Sequence, residues 1–245
     1  IGPKTRAILV CSPNNPTGTV YTDVEMELLA SICRERGIYL IADEVYREFV
    51  YDGRRAISAL TLPGFEAHVI VVDSLSKRYS ACGIRLGCLA TRNPEVYQAA
   101  LRMAQGRLSP PGLAQLVATG LTEVGQDYFA AVAAEYQSRR DVLFEGLTRI
   151  PGLFLRKPEG AFYFVARLPV DDAEEFARFL LADFAHEGTT VMVAPAAGFY
   201  ATPGLGRDER EDGHVGGLAM VLLDEQLQQV CREQGGVSRE HEHVL

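Results

Sequence analysis

Few residues in this chain can supply a nucleophilic amine. Its 245 residues include three lysines, Lys4, Lys77 and Lys157, against 21 arginines. Lys4 stands near a terminus and Lys157 in a polar turn before Pro158, whereas Lys77, in Ser74-Leu75-Ser76-Lys77, follows directly on the apolar run Val69 to Asp73. A run of that kind reads as a buried strand, and open α/β sheets bind ligands just beyond the carboxyl ends of their strands. Two other segments follow strand-like runs in the same way. Asp43 and Tyr46 lie in Ala42-Asp43-Glu44-Val45-Tyr46, and Asn15 lies in Asn14-Asn15-Pro16-Thr17-Gly18. An acid, a phenol, an amide, Ser74, Ser76 and an amine gathered at one sheet edge would suit an aromatic, phosphorylated group held by its ring nitrogen, its ring oxygen and its phosphate.

The elements that must position these groups are legible nearby. Ala7 to Cys11, Tyr39 to Ala42 and Val69 to Val72 are short, rich in branched residues and followed by polar or turn-forming residues, the pattern of fully buried parallel strands. Between the first two, Val24, Leu28, Leu29 and Ile32 recur at helical spacing, opened by a Thr22 to Glu25 capping box and closed at Gly37. That is a βαβ unit. Leu86 to Ala90 reads as a further strand and Pro94 to Gln105 as a helix, so residues 1–107 form part of an open α/β sheet domain. Leu108-Ser109-Pro110-Pro111-Gly112 breaks the pattern and sets the expected boundary of a smaller α+β domain, 108–245. In it, helices are expected over 113–124, 128–149 and 173–187, and strands over 160–165 and 190–193.

Composition narrows the possibilities. Hydrophobic residues make 47% and charged residues 23%, an ordinary globular balance. The net charge of −8 repels phosphate backbones and anionic surfaces, which argues against a nucleic-acid partner. No apolar run approaches the roughly 20 residues of a membrane span, and no secretory signal opens the chain. The cysteines at 11, 33, 82, 88 and 231 are odd in number and lack a Cys-x-x-Cys pair, so reduced thiols and a cytoplasmic location are expected, with no disulfide framework or zinc site.

Asn15-Pro16-Thr17-Gly18, Asp43-Glu44-Val45-Tyr46 and Ser74-Leu75-Ser76-Lys77, with Arg85 eight residues after the lysine, together resemble the class I and II aminotransferases of pyridoxal-phosphate fold type I. The likeness continues through Arg156 to Tyr163 and Ala194 to Gly206, covering about residues 1–209. It implies a large cofactor-binding domain with a mostly parallel sheet and flanking helices, here partial, and a smaller C-terminal domain. It implies transfer of an amino group between an amino acid and a 2-oxo acid, in a homodimer with its site at the subunit interface. By the resemblance Lys77 would bind pyridoxal 5'-phosphate covalently and shuttle the substrate proton. Asp43 would pair with the pyridine nitrogen, Asn15 and Tyr46 would bond the ring oxygen, and Ser74, Ser76 and Arg85 would hold the phosphate.

The likeness has two departures. The family's large domain begins well before Ile1, and the part without a counterpart here supplies strands, a ring-stacking aromatic and phosphate-binding amides. An unpaired edge and an uncovered apolar face would then call for a partner. The family's carboxylate-gripping arginine falls on Glu211, with Arg210 one residue early and so on the opposite face of a strand. Because 218–230 resembles the family's terminal helix, the stretch 210–217 reads as a small coding rearrangement. These departures motivate a second expectation, a non-catalytic remnant that acts by associating with a full-length relative.

Other readings of the same residues are weaker. Ser74 to Lys77 fits the Ser-x-x-Lys of acyl-transfer enzymes, but their Ser-Asp-Asn and Lys-Thr-Gly partners do not occur. The Asp43-Glu44 strand end lacks a phosphate-cradling Gly-x-x-x-x-Gly-Lys loop. His241-Glu242-His243 reads as a solvated tail before it reads as a metal site, and Phe162, Tyr163 and Phe164 as strand packing. Arg107 is a weak candidate for a second substrate carboxylate.

Overall fold

The computed structural model describes residues 1–199 and the backbone of 218–222. It divides into two compact units, one holding Ile1–Ala134 with Glu159–Ala161, the other Glu135–Pro158 with the described residues from Phe162 onward.

In the first unit, strand β1 (Ala7–Cys11) leads through a loop to helix α1 (Asp23–Arg36) and back to strand β2 (Tyr39–Asp43). The expected cap is present: Thr22 Oγ1 accepts from Glu25 N, the Glu25 carboxylate accepts from Thr22 N at 2.7 Å, and Gly37 closes the helix in the left-handed region. Strand β3 (Val69–Ser74) runs into a single-turn helix α2 (Leu75–Arg78), followed by strand β4 (Gly87–Thr91) and helices α3 (Pro94–Gly106) and α4 (Gly112–Gly120). The sheet order is β1-β2-β3-β4, parallel across the first three and antiparallel at β4.

Register decides which residues share a face. Val10, Leu40, Ala42, Val69 and Val71 meet Met26, Ala30 and Cys33 of α1 in the buried core, together with Ala59, Leu62 and Phe65. On the other face the register aligns Leu9, Ile41 and Ile70, and sets Val72 opposite Leu89. Leu9 is 70% exposed and Leu89 45% exposed. The expectation of full burial on both faces is therefore corrected for β1. α1 covers one face of this edge strand, and among the described residues nothing covers Leu9.

Helix α5 (Gln126–Thr148) contains the point at which the second unit begins. That unit adds strands β5 (Phe154–Leu155) and β6 (Tyr163–Arg167), helix α6 (Ala173–Ala182), and strands β7 (Ala194–Pro195) and β8 (Leu218–Leu222). They form an antiparallel sheet in the order β5-β6-β8-β7. α6 buries Ala173, Ala177 and Leu180, a stripe at helical spacing. Arg140, fully buried, donates from Nη1 to the Pro158 carbonyl at 2.9 Å and from Nε to Asp141 Oδ1 at 2.9 Å.

Several boundaries differ from the sequence reading. The strand expected over 160–165 begins at Tyr163, because Gly160 N bonds to Gly18 O and Ala161 N to Phe49 O. The helix expected to reach 187 ends at Ala182, and the strand expected over 190–193 is replaced by Ala194–Pro195. Residues 218–222, expected to open a terminal helix, form β8, an apolar run that pairs with β6 on one side and β7 on the other. Arg210, Glu211, 223–230, Cys231 and His241 to His243 lie outside the described residues. Among the described residues, no helix is long and apolar enough to cross a membrane.

Candidate functional site

Because β1, β2 and β3 are parallel neighbours, their carboxyl ends open on one edge of the sheet. The loop after β1 carries Asn15, the turn after β2 carries Tyr46, and α2 after β3 carries Lys77. Asp43 ends β2 beside Cys11 of β1 and, by the period of the strand, projects with Ile41 on the face away from α1.

The loop after β1 is closed by its own bonds. Asn14 N donates to Thr19 O and Gly18 N to Asn14 O, each at 2.9 Å, while Asn14 Oδ1 accepts from Thr17 N and from Thr17 Oγ1. The Ser12–Pro13 and Asn15–Pro16 peptide bonds are cis. Exposed Asn15 donates from Nδ2 to the hydroxyl of buried Tyr46 at 3.3 Å, so the amide and the phenol are brought together. Asp43 Oδ1 accepts from Val45 N at 3.1 Å, which fixes the carboxylate over the first bend beyond the strand.

Ser74 and Ser76 also come together. Ser74 Oγ lies 2.9 Å from Ser76 Oγ, accepts from Ser76 N at 3.1 Å and donates to the Leu86 carbonyl at 3.2 Å. Half-buried Lys77 directs its Nζ toward Cys82 Sγ at 3.9 Å, and that thiol donates to Ser76 O at 3.2 Å. Arg85 is not joined to the serines. Its backbone is left-handed at φ 57° and its Nη1 donates to the Cys82 carbonyl at 3.0 Å, so joining them requires the side chain to rotate. Arg107 caps the end of α3, with its N–H on Ala104 O and Gln105 O.

Electrostatics at this edge are set by burial. Desolvation pushes the Cys11 thiol up, with the charge of Asp43 adding to it and a backbone bond at Asn15 opposing it. Glu44, next to Asp43, is only 2% exposed, and burial raises its carboxyl against hydrogen bonds from Ala59 N and Ser58 Oγ and the charge of Arg47. Sequence reasoning passed over Cys82 and the charged residues around α2, Asp73, Arg78 and Glu48. Cys82 lies only five residues from Lys77, but nothing in the local pattern says which way a thiol in that turn points. A shallow cleft of about 340 Å³ bordered by Tyr21, Asp23, Arg54 and Arg55 shares no residue with this set.

Comparison with known proteins agrees with this architecture. The family model for aminotransferase class I and II matches residues 1–207. An aspartate aminotransferase of Geobacillus stearothermophilus is 30% identical over 210 residues, 82% of this chain and 52% of the relative. A probable aspartate/prephenate aminotransferase of Aquifex aeolicus is 33% identical over 204 residues, 81% of this chain and 51% of the relative. The chain thus spans about half the length of the curated relatives it matches. Among solved structures, Thermus thermophilus aspartate aminotransferase with maleate superposes with a TM-score of 0.77 at 27% identity, over 96% of this chain and 58% of that one. Alanine aminotransferase of Pyrococcus furiosus gives 0.77 at 29% identity, over 96% and 57%.

Proposed function

Because this chain belongs to the class I and II aminotransferases and shares their fold type I architecture, we propose that it acts in pyridoxal-phosphate-dependent transfer of an amino group between an amino acid and a 2-oxo acid. The observation that carries this reading is topological. Three parallel strands end side by side, and the amide, carboxylate, phenol and amine stand at or just beyond those ends.

The donor set fits the group. Asp43 is an anion for the pyridine nitrogen, and the bonded Asn15 and Tyr46 form a polar pair for the ring oxygen. Ser74 and Ser76 offer adjacent hydroxyls to a phosphate, and Arg85 supplies a two-pronged cation after rotating off the Cys82 carbonyl. Lys77 would be the amine that holds the cofactor's carbonyl and would serve as the base and acid for the substrate α-proton. When bound, pyridoxal phosphate supplies the electron sink for the carbanion that loss of this proton leaves. Residues 1–107 are proposed as the cofactor-binding portion and 108–245 as the small C-terminal domain of a cytoplasmic homodimer.

A second reading, a non-catalytic chain that works by associating with a full-length relative, is favoured by the open apolar face at Leu9 and Leu89. One experiment separates the two. Purified chain is incubated with pyridoxal phosphate, reduced with borohydride and digested for peptide mass analysis. The enzymatic reading expects a near-visible absorbance and a label fixed on Lys77, both abolished by Lys77→Ala. A colourless product with no fixed label supports the second reading.

A further inference from the structure

Arg78, the residue after Lys77, has no role in the scheme above, yet its side chain is only 15% exposed and it joins two segments of the site. Its Nη2 donates to Asp73 Oδ2 at 2.5 Å. Its Nε lies 3.3 Å from Glu48 Oε1, close enough for ion pairing but too bent for a hydrogen bond. Asp73 Oδ1 accepts from Ser74 N at 2.7 Å. From Glu48 the charges continue to Arg47 Nη2 at 3.7 Å, and from Arg47 Nη1 to Glu44 Oε2 at 3.1 Å. Glu44 is held in turn by Ala59 N at 2.7 Å and Ser58 Oγ at 3.0 Å. This line of alternating charge ties the turn after β2, which carries Asp43 and Tyr46, to the turn after β3, which carries Lys77.

Exposed ion pairs contribute little to stability, and a half-buried network need not contribute more. Its geometric effect is larger. α2 is a single turn, too short to hold its own conformation. Successive helical residues point roughly 100° apart, so a guanidinium gripped from two sides fixes the roll of the turn and the direction in which Lys77 leaves it. The N-terminal end of the same turn is anchored separately, by Leu75 N on Leu86 O at 3.1 Å and by Ser74 Oγ on the same carbonyl. Loss of the guanidinium alone therefore leaves these bonds, and that of Ser74 N to Asp73, in place.

We propose that Arg78 is a positioning residue: through Asp73 and Glu48 it aims the Lys77 amine at the cofactor carbonyl, while the serine seat for the phosphate is set without it. This rests on the cofactor reading above, and its test keeps the two apart. Pyridoxine 5'-phosphate, which carries an alcohol in place of the aldehyde, reports on the seat alone. The rate of borohydride-fixed capture of pyridoxal phosphate on Lys77 reports on the aim of the amine. In the full chain, Arg78→Met is expected to bind pyridoxine phosphate within about twofold of wild type but to capture pyridoxal phosphate about tenfold more slowly, since misplacements of about 1 Å cost rates of that order or more. Arg78→Lys, which keeps the charge without the fork, should recover part of the rate. Glu48→Gln should slow capture, and Arg78→Met with Glu48→Gln should be no slower than Arg78→Met alone. Glu48→Gln, nearly isosteric, carries the test if Arg78→Met does not fold. Capture at the wild-type rate in a folded variant, or equal loss of binding and capture, overturns the proposal. A wild-type chain that binds neither compound overturns the cofactor reading, and this one with it.

Discussion

Replacing Gly160 with alanine adds one methyl group where the chain is most tightly laced. A Cβ there would lie 2.7 Å from Phe49 O, 2.8 Å from Pro13 Cβ and 2.8 Å from Val20 Cγ2. The segment cannot slide aside cheaply. Glu159 N and Gly160 N both bond to Gly18 O at 2.9 Å, Ala161 N bonds to Phe49 O at 2.9 Å, and Tyr51 N bonds to Glu159 O at 3.0 Å. Overpacking of this kind costs about 1–3 kcal/mol, and a backbone hydrogen bond lost in making room costs about 1 kcal/mol. Alanine stiffens the unfolded chain and returns about 0.7 kcal/mol. The balance is a destabilisation of about 2 kcal/mol, or roughly 6 °C in Tm for a unit of this size. Because Pro13 and Val20 flank the loop that presents Asn15, the same substitution should weaken pyridoxal phosphate capture. Thermal unfolding followed by circular dichroism gives the first number and borohydride trapping the second. Gly120→Ala is the control, since a Cβ there meets nothing within 4 Å and the backbone is helical. A Tm for Gly160→Ala within about 1 °C of wild type, with capture unaltered, would refute the packing argument.

Two further outcomes follow from the same geometry. Burial raises the Glu44 carboxyl above its unfolded value, so the protonated form favours the folded chain; that contribution is complete below the ordinary carboxylate range and is lost as pH rises through the raised folded value. Urea unfolding between about pH 4 and about pH 8 should show wild type losing stability relative to Glu44→Gln as pH rises, and a flat or rising difference would contradict it. The Lys77 amine and the Cys82 thiol, 3.9 Å apart, should be joined by o-phthalaldehyde into a fluorescent isoindole. The signal should map to the peptide spanning both residues and vanish in Cys82→Ser; equal labelling at Lys4 or Lys157 would show that proximity plays no part.

The spans of β1, β2 and β3 were legible because each is a short branched run bounded by turn residues, and α1 because Thr22, Glu25 and Gly37 form its caps locally. That Asn15 and Tyr46 stand at one sheet edge was legible from the strand ends, but their direct hydrogen bond was not, since 31 residues separate them. The ion pair of Arg78 with Glu48 left no sequence signal, because residues 30 apart meet only after two parallel strands are laid side by side. The start of β6 was misjudged for a related reason. Gly160 and Ala161 have the look of a strand, but their N–H groups are taken by Gly18 and Phe49.

By itself the sequence determined the family, the first three strands and the helix between them, and which residue types stand at the ends of those strands, because caps, turn residues and apolar runs act over a few neighbouring positions. Tertiary structure alone decided that Arg85 turns to the Cys82 carbonyl, that Leu9 lies open, and that Lys77 leaves a turn tied down by Asp73 and Glu48. The direction of a long side chain depends on partners far away in the chain, and no local pattern encodes their distance.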